Sequence, residues 1–145
     1  MQDRRVAIIT GAAKGIGRAI ALELATREII PVITDIDEPG ARKACHEAAA
    51  FGVDASYFKA DVSSVRDIYS LVENVCKKYG RIDILVNNAG ILSTASVEDL
   101  TEDEWDRVQN VNVKSAVFLT QAVLPFMKKN KWGRTCALPH VLAAC

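Results

Sequence analysis

Three glycines, Gly11, Gly15 and Gly17, stand at GxxxGxG spacing inside the run Thr10-Gly11-Ala12-Ala13-Lys14-Gly15-Ile16-Gly17. Glycine has no Cβ, so backbone N–H groups in such a run can close on an anion. The apolar stretch Val6–Ile9 precedes it and a helical pattern, Arg18–Arg27, follows. Strand, glycine turn and helix in that order make a phosphate site. The first N–H groups of a helix lack intrahelical partners and carry partial positive charge. Asp35 lies 18 residues beyond Gly17, at the end of the next apolar run. A carboxylate about 20 residues past such glycines accepts from the ribose hydroxyls of a dinucleotide. It also repels a 2′-phosphate, which favours NAD over NADP. Lys14 and Arg18, cations in and beside the turn, work against that preference. Read alone, Asp35 is equally an ordinary turn former ahead of Asp37-Glu38-Pro39-Gly40.

Further candidates sit at the ends of later apolar runs. Asp61-Val62 closes the third run. The Asp61 carboxylate either accepts from an adenine amino group or starts a turn. Asn87-Asn88-Ala89-Gly90 closes the fourth. An asparagine amide carries both donor and acceptor and can tie adjacent strand ends together. Gly90 lets the backbone pass close to a ligand. The same four residues also suit a plain turn. Asn112, within Val111-Asn112-Val113, interrupts an apolar helical pattern. A polar group there needs partners. It either holds a water or a backbone carbonyl in an active site, or bends the helix. No metal site is indicated: Cys45, Cys76, Cys136 and Cys145 form no CxxC pair. His46, between Cys45 and Glu47, reads as part of a solvated face. So do Glu73, Lys77 and Lys78, and Trp105 is expected to pack its helix on a sheet.

Positioning these groups takes alternating strands and helices. The pattern predicts strands at Val6–Thr10, Ile30–Thr34, Ala55–Lys59, Ile82–Asn87 and Arg134–Leu138. Helices are predicted at Gly15–Arg27, Glu38–Phe51 closed by Gly52, Val65–Tyr79 capped by Ser63 or Ser64 and ended by Gly80, Glu102–Asn110, and Val111 to about Lys129. Thr101 and Glu104 form a capping box ahead of the fourth helix. Pro125 kinks the last helix or tightens its final turn. Strands that are apolar throughout are buried on both faces, hence parallel. The expected fold is therefore α/β: a doubly wound, Rossmann-type parallel sheet in three α/β/α layers, strand order 3-2-1-4-5.

With 145 residues, the chain suits one domain. Its 18 Lys plus Arg balance 18 Asp plus Glu, which argues against nucleic acid or an anionic membrane as the main partner. No apolar run reaches the ~18 residues of a membrane span. Met1–Arg5 leads straight into the first strand without a secretory leader. Free thiols and these absences point to a cytoplasmic protein.

In their order and spacing, Thr10–Gly17, Asp35, Asp61-Val62, Asn87–Gly90 and Asn112 resemble the short-chain dehydrogenase/reductase family. The likeness runs from Met1 to about Arg134, and Lys131-Trp132-Gly133-Arg134 looks like the family's approach to its fifth strand. Carried over residue by residue, the resemblance implies that Gly11, Lys14, Gly15, Ile16 and Gly17 border the pyrophosphate and Asp35 the adenosine ribose. It implies that Asp61 and Val62 hold adenine, and that Asn87, Ala89 and Gly90 flank the cofactor. Asn112 would be the catalytic asparagine that supports a proton-relay water. The implied reaction is hydride transfer between a nicotinamide dinucleotide and an alcohol or ketone, in a homo-oligomer.

That chemistry uses a tyrosine acid/base, a lysine that lowers its pKa and a serine that orients the substrate oxygen. Here Tyr57, Tyr69 and Tyr79 all precede Asn112, and the residues four positions after them are Asp61, Glu73 and Asp83. There is no Tyr-x-x-x-Lys. The family's serine falls near His140, and Pro139 is awkward for a central strand. The resemblance thus divides the chain into a dinucleotide-binding domain, 1–134, and a non-family tail, 135–145, with the family's last strands lacking. The tail is readable as a frameshifted fifth strand. The codons ACG TGC GCA TTG CCT CAC would encode Thr135–His140, and one T inserted after the first A would turn them into Ile-Val-Arg-Ile-Ala-Ser. The chain is expected to be catalytically incomplete. The competing expectation is a non-catalytic dinucleotide-binding module, or a partner of an intact homologue.

Overall fold

A computed structural model describes residues 4–138. Five parallel strands, β1 (Val6–Thr10), β2 (Ile30–Asp35), β3 (Ser56–Lys59), β4 (Ile84–Asn87) and β5 (Arg134–Ala137), line up in the order β3-β2-β1-β4-β5. Between them run α1 (Gly15–Thr26), α2 (Glu38–Ala49), α3 (Val65–Tyr79), α4 (Glu102–Gln109) and α5 (Ser115–Lys129). This is the order and layering that the apolar strand runs imply.

Side chains of β1 alternate between two cores, as strand geometry requires. Val6 and Ile8 join β2's Ile30 and Val32 under α3 and α5, through Ile68, Leu71, Val72, Leu119 and Val123. Ala7 and Ile9 face the other way, with Ile33, under α1 and α2. The two cores differ in grain. Branched side chains fill the first, whereas α1 and α2 meet the sheet through Ala21, Ala25, Ala41, Ala44 and Ala48, all buried. Small residues let those helices sit close to the strands, and α1 opens directly out of the turn that ends β1. Pro31 is tolerated inside β2 because β3 pairs with β2 only from Val32 onward.

Several boundaries shift from the sequence reading. β4 starts at Ile84, because Ile82 and Asp83 lie below the ladder. The α2 helix stops at Ala49, and Gly52 then closes the turn with φ 79°. Between α1 and β2, Glu28 adopts φ 60°, while Ile29 N–H reaches back to Leu24 O at 3.0 Å. The two helices expected at 102–129 are one continuous run, because a π-helical turn at Asn110–Lys114 joins α4 to α5. Pro125 lies inside α5. Trp105 does not pack on the sheet: it is 45% exposed, since the buried stripe of α4 reduces to Val108. Strand β5 pairs with β4 from Ile84↔Arg134 to Asn87↔Ala137, yet all four of its residues are exposed. His140 and the rest of the tail from Pro139 lie outside the described residues.

Candidate functional site

The three glycines of the first turn do three different things. Gly11 has φ 62°, and a Cβ there would stand 2.9 Å from Ala89 Cα. A Cβ on Gly17 would collide with the Asn88 amide and come 2.5 Å from Gly11 O. Both positions therefore let β1, α1 and the end of β4 close on one another. Gly15, at φ 59°, has open space around its missing Cβ, so its conformation, not its packing, calls for glycine.

Helix α1 begins unlike the other helices that open from a loop. Its N-cap residue, Lys14, is extended (φ −153°, ψ 177°), makes no side-chain cap and is followed by no acidic residue in the first turn. The side chains of Asp37, Ser64 and Thr101 cap α2, α3 and α4, and each of those helices carries acid in its first turn. Among the described residues no side chain caps the leading N–H groups of α1. An uncapped helix start, a glycine turn and the exposed Lys14 form a donor set that fits a pyrophosphate.

The neighbouring strand ends are locked together by Thr10 and Asn88. Thr10 Oγ1 accepts from Asn88 N at 3.1 Å and Ala89 N at 3.0 Å, and Asn88 Nδ2 donates to Thr10 O at 2.9 Å and Gly11 O at 3.0 Å. Of the two adjacent asparagines Asn88 makes the tie, while Asn87 Oδ1 is buried without a partner among the described residues. Period-two alternation is the signal that separates them: consecutive asparagines at a strand end point to opposite faces.

Asp35 closes β2 and accepts from two backbone amides, Ala13 N on Oδ2 and Asp37 N on Oδ1, both at 3.0 Å. The Arg18 guanidinium is engaged by Glu47 of α2 at 2.7 Å. Asp61 forms the turn into α3: Oδ1 accepts from Ser63 N at 2.9 Å and Ser63 Oγ at 2.7 Å. Asn112 sits in the π-helical turn and clamps the Ile91 backbone, accepting from its N–H and donating to its carbonyl, each at 2.8 Å. The clamp fixes the chain just beyond Gly90, and such extra-residue turns recur at functional sites.

These elements surround a cleft of about 510 Å³ at the carboxyl ends of the strands. Of the residues singled out from sequence, Gly11, Lys14, Ile16, Asp35, Asp61, Val62, Ala89 and Gly90 line it. Gly15, Gly17, Asn87 and Asn112 do not, and support those that do. Thr34, Ile36, Asp37, Ala60, Asn88, Ile91 and Val111 complete the wall. None of the three tyrosines lines it. Tyr79 lies at the opposite end of the sheet, donating to Asp54 O at 2.7 Å beside Ser56 Oγ at 2.8 Å; burial pushes its phenol up from the ordinary value despite help from Ser56 and Lys78. Tyr69 pairs with Gln121 on the surface. Among the described residues no group of three His, Cys, Asp or Glu is placed to hold a metal, and no helix is long and apolar enough to cross a membrane.

The family model described as "short chain dehydrogenase" matches residues 5–137. A sepiapterin reductase of Chlorobaculum tepidum is 36% identical over 147 aligned residues, spanning 97% of this chain and 60% of that protein. Two solved structures superpose with TM-scores of 0.86 over 90% of the chain: an NAD+-bound xylitol dehydrogenase, 33% identical, and a metagenomic short-chain oxidoreductase in complex with NADP, 34% identical. The chain spans 51% and 60% of those two.

Proposed function

Because the chain belongs to the short chain dehydrogenase family, we propose that it is the dinucleotide-holding part of an oxidoreductase that moves a hydride between NAD(H) and an alcohol or ketone. The observation that carries this reading is the uncapped start of α1, which faces Asp35 across one cleft. The amides of Gly15, Ile16 and Gly17, with Lys14, would take the pyrophosphate. Asp35 would take the adenosine ribose and disfavour a 2′-phosphate. Asp61 and Val62 would border adenine, while Ala89 and Gly90 would support the rest of the cofactor. The bound nicotinamide supplies the hydride chemistry. Asn112, through its clamp on Ile91, would hold the wall beside the nicotinamide and an active-site water in place.

Neither tyrosine nor lysine of a Tyr-x-x-x-Lys pair occurs in the chain, and a tyrosine pushed up by burial at the far end of the sheet is no base for this cleft. This supports binding without turnover by the chain alone. Exposed Val113, Val117 and Leu124 on the π-helical turn and α5 support association with a second copy or an intact homologue. Calorimetry with NAD and NADP, run beside a turnover assay over a ketone panel, tests the reading. NAD is expected to bind at least about tenfold tighter than NADP, a difference of about 1.4 kcal/mol, and NADH absorbance is expected to stay constant. Absence of binding by either dinucleotide sinks the proposal, and steady NADH loss sinks its statement of incompleteness.

A further inference from the structure

Asp35 does something besides face the ribose. Its Oδ2 holds the amide of Ala13, in the middle of the glycine turn, and its Oδ1 holds that of Asp37, at the start of α2. One residue earlier, the Thr34 carbonyl accepts from Ala12 N at 3.2 Å. The end of β2 therefore grips the amides of Ala12 and Ala13, two of the three between Gly11 and Gly15. Ala13 is only 7% exposed, so water is a poor substitute partner for its N–H, whereas Asp37 is exposed. A buried donor stripped of its acceptor keeps its full desolvation cost, and the cheapest relief is for the backbone to move. The part that would move is the turn whose shape aims the α1 amides.

We infer that Asp35 carries two separable roles: its negative charge selects the ribose end of the cofactor, and its acceptor geometry holds the glycine turn in the shape that binds pyrophosphate. The inference rests on the dinucleotide reading above and makes Asp35 a positioning residue for a group it does not touch. The two roles predict opposite signs for a ligand that has phosphates and no ribose. If the carboxylate served the ribose alone, removing its charge would leave inorganic pyrophosphate bound as well or better. If it also braces the turn, removing it weakens pyrophosphate although a repelling charge has gone. Asparagine separates the roles further. Its one amide oxygen satisfies the buried Ala13 N–H, its NH2 turns toward the exposed Asp37 side, and the charge is lost.

The test compares the wild type with Asp35→Ala and Asp35→Asn, using calorimetric titration with inorganic pyrophosphate, NAD and NADP. It adds amide hydrogen exchange at Ala13 without ligand. Expected for Asp35→Ala are an Ala13 amide that exchanges faster, pyrophosphate binding weakened about tenfold and no gain in NADP binding. Expected for Asp35→Asn are Ala13 protection retained, pyrophosphate affinity within about threefold of wild type and NADP gained relative to NAD. Pyrophosphate bound by Asp35→Ala as tightly as by wild type, or unchanged Ala13 exchange in that variant, overturns the inference. A wild type that binds neither pyrophosphate nor NAD overturns the dinucleotide reading instead, and Ala13 exchange still decides whether Asp35 braces the turn.

Discussion

The two ends of the same five strands are built on opposite principles. At the amino end, polar groups are closed on one another. Asp83, wholly buried, accepts from Val6 N at 2.9 Å and takes Arg81 through both oxygens at 2.8 and 2.9 Å. Tyr79 ties down the Asp54 carbonyl, and Arg5 stacks 4.1 Å from the Trp132 ring centroid. At the carboxyl end, α1 starts without a side-chain cap, and Thr34 Oγ1 and Asn87 Oδ1 are buried with no partner among the described residues. A buried group left unsatisfied costs stability until a ligand arrives. The amino end is thus closed upon itself, and the carboxyl end holds the proposed site.

The sharpest way to break this contrast is Asp83→Ala. It removes the acceptor of the buried Val6 N–H and the carboxylate that takes two Arg81 nitrogens, and is expected to cost about 3–5 kcal/mol in urea unfolding. NAD affinity of the molecules that remain folded should stay within about threefold; a large selective loss of binding would mean that the two ends are not separate. Gly17→Ala attacks the other end. Its Cβ meets Asn88 and Gly11 O, so an unfolding cost of about 1–3 kcal/mol is expected. NAD affinity should fall about a hundredfold, roughly 2.7 kcal/mol, by titration. A matched pair refines the comparison: Gly15 and Gly80 both have positive φ, 59° and 71°, and open space for a Cβ. Alanine at each should cost about 1 kcal/mol through backbone strain alone, with only Gly15→Ala weakening NAD. The smallest effect concerns Glu104. The hydrogen bonds of Arg107, then of Ser93, hold its carboxyl down at about 2, below its usual 4.5. A depressed carboxyl contributes stability that is present above its unfolded value and lost as pH falls through its folded one. The small advantage of wild type over Glu104→Gln should therefore shrink between pH 4.5 and about 2, and salt should screen it at neutral pH.

Much of this was legible in the sequence because it is local. Val6–Ile9 is apolar without a break, so it had to lie inside a sheet, and β1 is buried at all five positions. Thr101 caps Glu104 N at 3.2 Å as its spacing implied, although the Glu104 side chain completes a fork to Arg107 at 2.7 and 2.8 Å. Asp61 reads from sequence as an adenine acceptor or a turn former, and the structure shows a turn former bonded to Ser63 in the cleft wall. Other features were not legible. The π-helical turn has no composition of its own: Asn110–Lys114 reads as plain helix until Asn112 is seen gripping Ile91, 21 residues away. Asp83 looked like one residue of an apolar strand.

From its own residues the chain determined which segments form strands and helices, that the sheet is parallel, and that a glycine turn joins the first strand to the first helix. Backbone preference and apolar periodicity act over a few residues and need no distant partner. Only the packed sheet decided which asparagine ties β4 to β1 across 78 residues, which carboxylate is sealed beneath the strands and which braces the glycine turn. Those choices depend on strand register, which brings groups far apart in sequence within 3 Å of one another and leaves the adjacent residue pointing to the opposite face.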